Sequence, residues 1–81
     1  MKNIIYITLL FITGLAFGQS FEQGNALYRK GDYKGAVTEY ENIIKQGKES
    51  AEVYFNLGNA YYKLNQVAPS VYYYEKALLL K

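Results

Sequence analysis

Residues 51–64 read Ala-Glu-Val-Tyr-Phe-Asn-Leu-Gly-Asn-Ala-Tyr-Tyr-Lys-Leu. Their apolar members Val53, Tyr54, Leu57, Tyr61 and Leu64 recur at the spacing of one helix face. Ser50 just before them is a good N-cap, and Glu52 sits in the first turn, near the positive end of the helix dipole. The pattern also stands 34 positions earlier, and no gap is needed to align the two copies. Phe21 returns as Phe55, Gly24 as Gly58, Asn25 as Asn59 and Ala26 as Ala60. Tyr28 returns as Tyr62, Val37 as Val71, Tyr40 as Tyr74 and Glu41 as Glu75. A fixed period of this length marks an array of helical hairpins.

Each copy has room for a second helix. Residues 21–30 read as the first helix of unit one. Gly31-Asp32 breaks it, and Asp32 caps a helix that starts at Tyr33. Ala36, Val37, Tyr40, Ile43 and Ile44 form its apolar stripe. Gly47 ends it, with Lys45 and Lys48 near the negative end of the dipole. In unit two, Asn65-Gln66 forms the break and the last helix begins near Val67. Pro69 falls in its first turn, where a missing N–H costs little. Val71, Tyr74, Ala77 and Leu78 are expected on the inner face, with Tyr72 and Tyr73 partly exposed elsewhere. Gly24 and Gly58 lie mid-helix, where glycine otherwise costs about 1 kcal/mol. With Ala36 and Ser70 opposite them, they predict a close approach of two helices. The fold class is therefore all-α, built of tandem antiparallel hairpins over residues 19–50 and 51–81.

These residues resemble the tetratricopeptide repeat family. That family's pattern is a large aromatic, Leu-Gly and Tyr in the first helix, then a small residue, an aromatic and Ala in the second. Here those are Tyr54, Leu57-Gly58, Tyr61, Ser70, Tyr74 and Ala77. Unit one matches at Gly24, Tyr33, Ala36 and Tyr40. It departs at Ser20, Gln23, Leu27, Ile43 and Lys48, where an aromatic, Leu, Tyr, Ala and Pro are usual. The resemblance covers about residues 17–81. It implies a right-handed α-solenoid whose concave groove binds peptide or protein. Residues 65–80, behind the N-terminal segment described next, also resemble the exported repeat proteins of Bat (Bacteroides aerotolerance) operons. The membrane segment and SH3-like domain that often follow the repeats there are not found in these residues.

The first 18 residues read as a secretory signal peptide. Lys2 supplies the charged start, residues 4–17 the apolar middle, and Ala16-Phe17-Gly18 the small-x-small end. The alternative is an uncleaved anchor. The uncharged residues 3–21 could just span a bilayer, but Gly14, Gly18 and a short apolar centre weaken that reading. No cysteine follows the apolar run, which excludes a lipoprotein-type anchor. The expected location is exported: periplasmic or envelope-associated in a Gram-negative bacterium.

Composition removes whole classes of function. The 81 residues include no cysteine and no histidine, and the net charge is +2. Neither a disulfide nor a thiolate metal site can brace the chain, and the commonest general base and metal ligand are missing. No Lys/Arg cluster suggests nucleic acid, no two carboxylates are paired by the pattern, and there is no Gly-rich phosphate loop. We expect no enzyme activity, no cofactor and no metal. The partner is a protein or peptide, and contact with a membrane runs only through the N-terminal signal or a region after Lys81. The apolar, uncapped end at Leu78-Leu-Leu-Lys predicts that the chain is the N-terminal part of a longer protein, since solenoids usually need three or more repeats.

The family's groove is lined by the first helix of each hairpin. The matching positions are Phe21, Asn25, Tyr28 and Arg29 in unit one, and Glu52, Phe55, Asn59, Tyr62 and Lys63 in unit two. Asn25 and Asn59 offer a donor and an acceptor to a peptide backbone. Arg29 and Lys63 suit a carboxylate, and the four aromatics are flat apolar anchors. The plainer alternatives are solvated charges for Arg29 and Lys63, and packing between hairpins for Phe21 and Phe55. Some relatives clamp the carboxylates of chaperone C-termini. Asn25 and Asn56 match that clamp, but Phe21 stands where its first lysine would be and a third repeat is lacking. The leading expectation is a binding scaffold. The alternative is an assembly subunit whose uncapped end face joins another copy or subunit.

Overall fold

The computed structural model describes residues 16–81, with side chains from residue 20 onward. Among the described residues four helices follow one another: α1 (Ala16–Arg29), α2 (Tyr33–Lys45), α3 (Ala51–Lys63) and α4 (Val67–Leu80). The short connections fold α1 back on α2 and α3 back on α4. α3 also packs on α2, while α1 meets α3 only sparsely. Helix α1 begins at Ala16, ahead of the expected start at residue 21. Gly18 lies between the two points without breaking the helix, and the polar Gln19, Ser20 and Gln23 hide the helical period there. Of the expected signal segment, residues 16–18 open α1, and the rest lies outside the described residues.

The ends of the helices are set by local chemistry. The Asp32 carboxylate accepts from the Gly35 N–H at 3.0 Å, and Ser50 Oγ accepts from the Val53 N–H at 3.1 Å. Each satisfies a donor that the first turn leaves open. Three helices end in the same Schellman turn. Asp32 N–H returns to Leu27 C=O, Lys48 N–H to Ile43 C=O and Gln66 N–H to Tyr61 C=O, at 2.8, 3.1 and 3.0 Å. The residue before each has positive φ: Gly31 at 91°, Gly47 at 76° and Asn65 at 62°. Glycine adopts that geometry freely, and asparagine is among the few other residues that tolerate it.

The core lies between the units rather than within either one. Ala36, Val37, Tyr40 and Ile43 of α2 bury against Val53, Leu57 and Ala60 of α3, with Phe21, Leu27, Ile44 and Leu64 packed at the edges. Each large apolar side chain so buried contributes about 1.5–3 kcal/mol.

Helix α4 does not present the expected face. Ser70 and Ala77 are buried, and Tyr73 and Tyr74 are half-buried, whereas Val71 and Leu78 are exposed. The small side chains of Ser70 and Ala77 let α4 approach α3, and that contact turns Val71 and Leu78 outward. Tyr73, expected to be partly exposed, lies between the rings of Tyr54 and Tyr61, with centroids 5.9 and 5.6 Å away and nearly parallel planes. Tyr61 Oη donates to Glu41 at 2.8 Å, and Tyr54 Oη donates to Glu49. The Glu49 bond, followed by burial, pushes the Tyr54 phenol up to about 12. Burial, followed by the Glu41 bond, does the same to Tyr61.

Candidate functional site

The repeated residues build one device twice. A Cβ added to Gly24 would stand 2.6 Å from Cε1 of Tyr40, and one added to Gly58 would stand 2.6 Å from Cδ1 of Tyr74. The glycines therefore seat a tyrosine ring from the second helix of their own hairpin. The expected partners, Ala36 and Ser70, are not the nearest neighbours, although the Ser70 carbonyl lies 3.2 Å from the added Cβ at Gly58. Tyr40 Oη donates to Asn25 Oδ1, and Tyr74 Oη donates to Asn59 Oδ1, both at 2.5 Å. Phe21 leans on the Tyr40 ring at 6.2 Å and Phe55 on the Tyr74 ring at 5.6 Å. Phenylalanine, glycine and asparagine on a first helix thus hold one tyrosine of the second. Burial raises the Tyr40 phenol above its usual range, and a hydrogen bond from Asn56 opposes that rise.

This changes the reading of the asparagines. Their carbonyl oxygens, expected to face a ligand, already accept from tyrosine. Asn25 Oδ1 accepts a second bond, from Asn56 Nδ2 at 3.2 Å. The Nδ2 groups of Asn25 and Asn59 remain, and so does Asn56 Oδ1. Together with Tyr28, Arg29 and Tyr40, these three asparagines line a cavity of about 150 Å³ on the face shared by α1 and α3. That is less than the 300–1,000 Å³ typical of a small-molecule site, and matches a peptide group or one short side chain. Two amide donors and one acceptor in it suit a main-chain amide.

Of the expected groove residues, Asn25, Tyr28, Arg29 and Asn59 meet at this cavity. Phe21 packs toward the core beside Tyr40. Tyr62 and Lys63 are exposed and outside the lining. Glu52 and Phe55 line a separate groove of about 650 Å³ at the free end of the α3–α4 hairpin. Asn56 and Tyr40 were not among the expected groove residues. Asn56 has no counterpart in the repeat, since Glu22 occupies its place in unit one. It was visible in the sequence only through its match to the carboxylate clamp.

Residues 24–65 match the family described as TPR repeat, and residues 51–81 match the one described as Tetratricopeptide repeat. The chain belongs to the tetratricopeptide repeat family. Among curated relatives, it is similar to "Heat shock protein STI1" of Saccharomyces cerevisiae, 32% identical over 60 residues, covering 65% of this chain and 10% of that protein. It is also similar to "TPR repeat-containing protein MJ1428" of Methanocaldococcus jannaschii, 32% identical over 57 residues, covering 70% of this chain and 10% of the relative. The chain thus spans about a tenth of the length of the curated relatives it matches. TPR proteins are in general interaction modules rather than enzymes, and their repeats typically bind proteins or peptides.

Proposed function

We propose that this TPR chain is a non-enzymatic scaffold of the bacterial cell envelope that holds an extended peptide on its α1/α3 face. The cavity formed by Asn25, Tyr28, Arg29, Tyr40, Asn56 and Asn59 carries this reading. It sets amide donors and an acceptor beside an aromatic ring and a cation. The main-chain amides of an extended peptide would meet the asparagines, and a carboxylate near them would meet Arg29. Phe55, Tyr62 and Lys63 would extend the contact along α3. The envelope location follows from the signal-like pattern of residues 1–18, and the likeness of residues 65–80 to exported repeat proteins of Bat operons agrees with it.

The test is capture of peptides from a random library by the immobilised chain, followed by titration of the best binder. Arg29 is exposed, so Arg29→Ala should leave the melting temperature unchanged and weaken binding about tenfold, in line with the loss of a charged hydrogen bond. A peptide that binds Arg29→Ala as tightly as the unaltered chain would remove the groove from the proposal. Processing of residues 1–18 is read separately, from the N-terminal sequence of the protein recovered from envelope fractions.

A further inference from the structure

Ten tyrosines, no cysteine and no tryptophan leave this chain one main class of oxidisable side chain, since the single methionine is Met1, outside the described residues. Thiols and thioethers are the usual first sites of oxidation, so an electron taken from the described residues comes from a phenol. Four of these phenols are joined, with Tyr73 of α4 as the hub. Its ring centroid lies 5.9 Å from that of Tyr54, 5.6 Å from that of Tyr61 and 5.0 Å from that of Tyr72. The first two rings are nearly parallel to it and the third stands edge-on. Tyr61 Oη donates to a Glu41 carboxylate oxygen at 2.8 Å, and Tyr54 Oη donates to Glu49. The members differ in their access to water. Tyr54 is buried, Tyr61 and Tyr73 are half-buried, and Tyr72 is 52% exposed. The 34-residue repeat does not account for the cluster, because Ser20, Leu27, Thr38 and Glu39 hold the four places in unit one.

We propose that the stack of Tyr54, Tyr61 and Tyr73 relays one-electron oxidation to Tyr72 and makes Tyr72 the oxidative cross-linking site of the chain. The oxidant is a diffusible radical that takes one electron and leaves as its anion. A phenol gives up an electron readily only if its proton leaves too, and a hydrogen-bonded carboxylate is a base already in place. At Tyr61 the electron goes to the oxidant and the proton to Glu41, which leaves a neutral tyrosyl radical. Tyr73 touches the rings of both Tyr61 and Tyr72. An electron passes from Tyr72 through Tyr73 to Tyr61, and Glu41 returns the proton. That return is downhill, because a carboxylic acid is a far stronger acid than a phenol. Tyr72 gives its own proton to water. The Lys76 ammonium, 5.6 Å from the Tyr72 ring centroid, disfavours a positive charge on that ring and so favours loss of the proton. The net change is one electron from Tyr72 to the oxidant and one proton to solvent. Radicals on the Tyr72 of two chains then join ring carbon to ring carbon. The hydrogen on each joined carbon moves to the oxygen and restores both phenols, as dityrosine. The proposal concerns residues outside the peptide cavity and stands without it.

Azide radicals generated by radiolysis in a solution of the chain test this, with dityrosine located by mass spectrometry. Tyr62 is the internal control. It is 61% exposed, more than Tyr72, and among the described residues no ring lies against it. Attack governed by exposure alone would put at least as much product on Tyr62, whereas the relay puts most of it on Tyr72. Tyr73→Phe keeps a ring in the stack and removes the phenol that passes the electron on, so product at Tyr72 should fall toward the level at Tyr62. Tyr54→Phe with Tyr61→Phe keeps both rings and removes both phenol–carboxylate pairs, and the same fall is expected. Product on Tyr62 equal to or above that on Tyr72 overturns the proposal. So does a yield at Tyr72 that either variant leaves unchanged.

Discussion

Asn25 is the residue on which fold and site converge. Its carbonyl oxygen takes the hydroxyl of Tyr40, which is 1% exposed, and its amide faces the cavity. Removing it leaves a buried phenol without an acceptor, which costs about 1–3 kcal/mol. Asn59 serves Tyr74, which is only half-buried, so water can replace part of its bond. We therefore expect Asn25→Ala to lower the free energy of unfolding by about 1–3 kcal/mol, and Asn59→Ala to lower it by less. Denaturant titrations of the two variants check this, and equal losses would contradict the difference in burial. Asn25→Ala is accordingly a poor probe of ligand binding alone, and Arg29 is the cleaner choice. The sequence displayed the recurrence of asparagine at this point, but a side chain that closes an intramolecular bond and one that awaits a ligand leave the same trace. Only the position of the tyrosine 15 residues on separates them, and it separates them equally in both units.

At the level of the helices, the 3.6-residue period marked α2 and α3 well, because one face of each is apolar and the other polar. Asp32 and Ser50 were legible as caps for the same reason: their side chains act within one turn. Helix α4 was not legible. Its residues 71–74 are apolar or aromatic at every position, so the pattern carries no phase. The packing of Ser70 and Ala77 on α3, a tertiary fact, chose the face. The hairpin contact can be tested at Gly58. Adding a methyl there forces the Tyr74 ring aside and presses on the Ser70 carbonyl. Overpacking of that kind costs about 1–3 kcal/mol, and the gain in helix propensity returns about 1 kcal/mol. Gly58→Ala should thus be net destabilising by up to about 2 kcal/mol, and its thermal midpoint should fall. A midpoint that rises would show that the ring moves at no cost.

For the molecule as a whole, the tyrosines make stability depend on alkaline pH. Burial and the bonds to Glu49 and Glu41 push the Tyr54 and Tyr61 phenols up to about 12 in the folded chain, against 10.0 for the unperturbed phenol. Their contribution is complete below about pH 10. It is lost as pH rises toward 12, because the unfolded chain releases those protons first. Unfolding midpoints between pH 9 and 12 should therefore fall with pH, and Tyr54→Phe with Tyr61→Phe should flatten the decline. An identical slope in the double variant would rule these two phenols out as its cause. Family membership and the all-helical fold were readable across the whole described chain, since periodicity is spread over many residues. The composition of the cavity was not, because Asn56 enters it from outside the repeated set.

The burial of the core between α2 and α3 has one more consequence. A lone hairpin of this kind would keep its own turn and caps and yet leave Val37 uncovered, as its counterpart Val71 is. What a tandem duplication copies is therefore an incomplete body plus the means to complete its neighbour. Each new copy inherits a seam ready-made on one side and creates an open one on the other. An array of this type lengthens by gene duplication without inventing new contacts, and its partner surface can diverge while the seam stays fixed.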